Sequence, residues 1–214
     1  MNTLLLTAAL FATSLGAMAQ VPARPRPWTL GVEGSRSLAG TVPGQDRAPV
    51  LSGLFAGYQP NRLGGRVGLD FGRRTTDPNP TNCADCLVGT STARTLALRL
   101  GAQYAMLPQL PWLYTFLDVA YHHTRAEGRY TGGFCGCLDN TLTQTTRTLG
   151  ASAGVGASFR VVSRFYVSPE IYYEGFMGRT RSLTTDNRFG GESANSAPAR
   201  GHAPAVRLRA GVAF

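Results

Sequence analysis

From Trp28 onward, apolar and polar residues alternate with a period of two in one segment after another, the spacing that sends successive side chains of a β-strand to opposite faces. The alternation predicts eight strands, near residues 28–36, 50–58, 64–73, 93–104, 112–123, 146–160, 165–176 and 205–214. The last is the clearest: Val206, Leu208, Ala210, Val212 and Phe214 share one face, and Arg207, Arg209, Gly211 and Ala213 share the other. Residues 60–63, 106–111 and 161–164 are short connections, whereas 37–49, 74–92, 124–145 and 177–204 are long and rich in Gly, Pro, Asn and Thr. The two kinds alternate along the chain. No 3.6-residue periodicity is sustained over several turns, and Pro108 and Pro111 break the uncharged stretch 100–117 that would otherwise suggest a membrane helix. The expected fold class is all-β.

The first residues and the charge change this picture. Met1–Ala19 holds an apolar run from Leu4 to Leu15 and closes with Ala17-Met18-Ala19, the form of a secretory signal peptide, although no Lys or Arg precedes the run. A signal at 1–19 leaves a proline-rich lead-in at 20–27 and one β domain at 28–214. All 21 basic residues are arginines, against 12 acidic residues, for a net charge of +9. That excess invites a polyanion, but no basic run with interleaved aromatics occurs, so nucleic acid is not expected as a partner. No phosphate loop, paired-carboxylate motif or metal-ligand helix is found, and no cofactor is expected.

Trp28, Tyr58, Tyr104, Phe159, Phe165 and Phe214 all fall at strand ends beside the short connections or the termini, on the apolar face. With the signal, the alternating connections and the terminal Phe, the chain resembles the eight-stranded bacterial outer-membrane β-barrels of the OmpA and OmpX type. The resemblance implies an antiparallel up-and-down transmembrane barrel in the outer membrane, with tight turns in the periplasm, long loops outside and an interfacial aromatic ring. It also implies that Phe214 is the assembly signal read by the outer-membrane assembly machinery. Two residues depart from the pattern. Trp112 has the opposite parity from Leu113, which requires a shift at the start of its strand, and Phe55 falls on the polar face. A soluble barrel of the lipocalin type, with its apolar faces turned inward, is the alternative architecture.

In a membrane barrel the charged face must turn inward, because a charge facing lipid costs about 2–4 kcal/mol at the bilayer midplane. Glu33, Arg66, Asp70, Arg99, Asp118, Glu170, Glu174, Arg207 and Arg209 are then expected to form an ion-pair network in the lumen. Eight strands enclose room for side chains and little else, so a packed interior is expected in preference to a polar conduit. Cys83, Cys86, Cys135 and Cys137 lie in the second and third long connections, where an oxidising envelope favours disulfides, including a bridge between the two loops. A tetrathiolate zinc site is the alternative. His122 and His123 close the fifth strand. Lipid A deacylases of similar architecture pair a His with a Ser, but Thr124 follows here, and no catalytic residue is assigned. Arg36, Arg47, Arg73, Arg74, Arg125, Arg129, Arg179, Arg181, Arg188 and Arg200 suit the phosphates of outer-leaflet lipopolysaccharide. The functional expectation is a monomeric, non-enzymatic barrel acting in envelope structure or surface interaction through its loops. A narrow porin-like channel for ions or small solutes is the alternative, with a lipid A-modifying enzyme third.

Overall fold

Leu, Val and aromatic residues at every second position, with Gly, Ser, Thr and charged residues between them, form nine antiparallel strands in the computed structural model, which describes residues 28–37, 51–76, 88–132 and 138–214. These are β1 Trp28–Ser37, β2 Leu51–Tyr58, β3 Leu63–Thr76, β4 Val88–Leu107, β5 Leu110–Gly132, β6 Leu138–Ala157, β7 Phe159–Val162, β8 Phe165–Asp186 and β9 Glu192–Ala213. Consecutive strands pair in one sheet, save that β6 pairs with β8 and not with β7, and β9 returns to β1, so the sheet closes on itself. The signal segment, the lead-in and all four cysteines lie outside the described residues.

The count is nine where the sequence pattern predicts eight. The extra strand arises at Ser158, whose N–H donates to the carbonyl of Trp112 (2.7 Å) and interrupts the run into β7. Gly156 still faces Glu170 and Phe159 faces Val167, so pairing with β8 resumes without a shift, and β6 and β7 occupy one position around the barrel. The closure is staggered. The residues lying opposite one another from Trp28 run through Tyr58, Gly65, Ala102, Leu117, Ala153 and Tyr173 to Pro204, ten residues short of Phe214, which is Trp28's actual hydrogen-bonded neighbour. A level ring around such a barrel therefore steps down the strands from β1 to β9.

The outward face is the apolar one. Leu98, Leu100, Val119, Leu149, Ile171 and Leu208 are each about half exposed, whereas Glu33, Asp118 and Glu170 are buried inside. That arrangement overturns the lipocalin-type alternative, because a wall of exposed Leu, Val and Ile around a charged interior suits hydrocarbon rather than water. Trp28, Tyr58, Tyr104, Phe165 and Phe214 are outward and exposed near the short turns, with Trp28 against Tyr58 at 4.5 Å between ring centroids. Trp112 stacks on Phe159 at 5.8 Å, and the register of β4 and β5 shifts between Ala105 and Leu107, near the start of Trp112's strand.

The strands are longer than the alternation predicts. Residues 88–92, 124–132, 138–145, 177–186 and 192–204, expected as loop, are paired strand. Most of them run on past the apolar band as a wall that is wet on both faces, where Thr, Arg, Ser and Asn replace the alternating Leu and Val. The last outer connection shrinks to residues 187–191. There Asp186 accepts from the N–H groups of Arg188 (2.8 Å) and Phe189 (3.2 Å) on its carboxylate and from Gly190 N–H on its carbonyl (2.9 Å). Gly190 sits at φ 71°, a left-handed conformation that a β-carbon would strain.

Candidate functional site

Small barrels fill their interiors by setting large side chains opposite small ones. The inward positions here follow that rule. Arg66 lies opposite Gly57 and Gly101, Asp70 opposite Gly53 and Ala97, Arg99 opposite Gly68 and Ala120, and Asp118 opposite Gly101 and Ser152. Each long or charged group thus has space to cross the lumen. Glu33 lies directly opposite Arg209, and Glu170 opposite Arg207, so two ion pairs are set by the strand register itself.

Four arginines and four carboxylates meet in the middle of the barrel, each residue no more than 6 % exposed. The charges balance. Arg66 donates from Nε and Nη2 to the two oxygens of Asp118 (2.6 and 2.5 Å) and from Nη1 to Glu170 (2.8 Å). Arg99 donates to Asp70 (2.7 Å) and to Glu33. Arg207 donates to Glu170 (3.0 Å) and Asp118 (3.3 Å), and Arg209 donates to Glu33 (3.0 Å) and lies 2.9 Å from Glu170. Glu170 is the hub: three arginines and the hydroxyl of Tyr114 (2.8 Å) converge on it. Bidentate geometry of this kind is what offsets the cost of taking charges out of water.

Aromatic rings seal the cluster. Arg66 sits over Phe116 (3.8 Å to the ring centroid), Arg207 over Tyr172 (4.5 Å) and Arg209 over Phe55 (4.9 Å), which in turn meets Tyr166 edge-on at 6.2 Å. Phe55 is therefore on the polar face because the interior needs it, and the register of β2 stands without adjustment. The aromatic members Tyr114, Phe116, Tyr166 and Tyr172 go unassigned in the sequence pattern, although each shares the parity of a charged neighbour, Asp118 or Glu170, and could be found by that sign.

Glu174 corrects one expectation. It stands outside the cluster, further along β8 toward the outer wall, where its carboxylate lies 3.1 Å from His122 and both side chains keep some solvent. Thr124 shares a hydrogen bond with Thr95 (3.0 Å). Arg36's side chain, Arg47 and the four cysteines lie outside the described residues. Arg129 donates twice to Asp139 (2.8 and 2.7 Å) high on the outer wall, and that guanidinium holds the Asp139 carboxyl well below the usual carboxylate range. Among the described residues, no three His, Cys, Asp or Glu side chains are grouped to hold a metal.

No protein-family model and no curated protein sequence matches the chain. Among solved structures, it is similar to a major outer membrane protein from Thermus thermophilus, at 14 % identity and a TM-score of 0.54, over 87 % of this chain and 99 % of that one. CarO of Acinetobacter baumannii (9 % identity, TM-score 0.49, 89 % and 100 % covered) and Ail, the attachment invasion locus protein of Yersinia pestis (13 %, 0.47, 88 % and 97 %), are similar more loosely. The fold is that of bacterial outer-membrane β-barrels.

Proposed function

We propose that this chain is a closed outer-membrane barrel of the small OmpA and OmpX kind, acting as a monomer by what its outer wall presents rather than by passing solutes or by catalysis. The observation that carries the reading is the filled lumen: eight mutually neutralising charges, capped by five aromatic rings, occupy the cross-section at the level of the apolar band. The outer wall supports the second half. Its strands continue beyond the apolar band to Gly132, Asp186 and Glu192, an extent of ordered backbone that a bare membrane plug does not need. The test pairs display with closure. An epitope inserted between Gly190 and Gly191 is expected to be reached by antibody on intact cells, while liposomes carrying the protein retain trapped glucose. An epitope reached only after the cells are opened, or rapid glucose loss, would overturn the reading.

A further inference from the structure

Where the apolar band gives way to the outer wall, the outward positions are arginines, and the register sets them face to face. Arg73 on β3 lies opposite Arg94 on β4, and Arg94 lies opposite Arg125 on β5. Two residues lower, Arg147 on β6 lies opposite Arg179 on β8, and a further two residues lower Arg200 occupies β9 opposite Met177. The descent from β3 to β9 runs the same way as the stagger of the closed sheet, so these side chains lie near one height around the barrel. Below them the outward face turns apolar: Phe71, Leu96, Leu98, Tyr121, Leu149 and Met177 are exposed, with His123 and His202 as border residues directly beneath Arg125 and Arg200. On β4, Arg94 and the outward Tyr104 near the short turns are ten residues apart, about 25 Å for a strand tilted by about 45°. The arginines therefore mark the outer edge of the hydrocarbon.

Like charges directly opposite one another on neighbouring strands repel. Only Arg125 has a carboxylate at hand, Glu127 at 2.6 Å, and no described Asp or Glu forms an ion pair with Arg73, Arg94, Arg147, Arg179 or Arg200. A row of forked cations at the headgroup level is stable when an anion of matching geometry bridges them, and phosphate accepts such paired N–H donors. From this placement we infer that the arginines form a collar for the clustered phosphates of an outer-leaflet glycolipid, each phosphate bridging two facing guanidinium groups. The inference rests on the barrel spanning the outer membrane, and it names the lipid partner of the outer wall.

The experiment uses the full folded chain in phosphatidylcholine vesicles, with and without bisphosphorylated lipid A, and reads the temperature at which the folded gel band converts to the unfolded one. Lipid A is expected to raise that midpoint by about 5 °C or more. Arg147→Gln combined with Arg179→Gln should lose most of the rise, yet in phosphatidylcholine alone the double variant should melt no lower than the parent, because a repulsion has been removed. Arg73→Gln with Arg94→Gln supplies an independent pair, and Arg129→Gln, whose guanidinium is held by Asp139 higher up, should keep the full response. An equal rise with dephosphorylated lipid A or with phosphatidylglycerol, or double variants that keep the rise, would overturn the collar while leaving the closed barrel standing. Protein that never folds in vesicles would overturn both.

Discussion

The barrel's interior at the apolar band and its wall above the arginine collar are built on the same hydrogen-bonded ladder, yet they are held in different ways. In the interior, Glu170 collects three arginines and a tyrosine at the centre of a dry, balanced cluster. In the wall, order comes from facing hydroxyl pairs, Thr75 with Thr92 (3.4 Å) and Thr146 with Thr180 (2.9 Å), and from the exposed Arg129–Asp139 fork. Charges removed from water must be matched almost atom for atom, whereas charges left in water need only the backbone to hold them in line. Damage to the interior should therefore be global, and damage to the wall local.

The largest effect is expected for Glu170→Ala, which takes a shared carboxylate from three buried guanidinium groups, leaves the cluster with a net positive charge and should cost about 3–5 kcal/mol, read as an earlier conversion of the folded gel band. An unchanged midpoint would erase the distinction between the two regions. Gly68→Ala probes the same cluster by crowding, since a β-carbon there would lie 2.6 Å from Arg99 Nη2 and 2.7 Å from Glu33 Oε1. We expect a loss of about 1–3 kcal/mol. The smallest effect belongs to Asp139→Asn on the wall, which should leave the global midpoint in place and only speed amide exchange near Asn187, whose side chain donates to Asp139 (2.9 Å). Because the folded carboxyl is held below its ordinary value, the stabilisation from Asp139 is complete at neutral pH. It fades as pH falls below the ordinary carboxylate range, and Asp139→Asn should remove that acid-side change in exchange near Asn187.

The interior was legible in the chain because a lipid-facing strand admits only one face for a charge, so the parity of Arg66, Asp70 and Asp118 assigns their direction. Its aromatic half was not. Phe55 and Phe116 look like lipid-facing residues on composition, and only their shared parity with buried charges separates them from Tyr58 or Tyr104. The wall was illegible for a different reason. From Ala126 to Gly132 and from Thr180 to Asp186 both faces meet water, so no apolar period of two remains, and the Thr and Gly content that reads as loop also serves a paired strand with no core to face. Glu174 stands at the border between the two regimes: its parity points inward, but it lies above the level at which the lumen is dry.

Closure of the lumen is the claim on which the account turns, and single-protein recording in a planar bilayer tests it directly. The wild-type barrel is expected to show no steady conductance, and Glu170→Ala, once folded, to show at most brief, irregular events as the under-neutralised arginines rearrange. Stable, ion-selective steps from the wild type, altered in selectivity when Glu170 or Arg207 is neutralised, would contradict the closed barrel and establish a channel in its place.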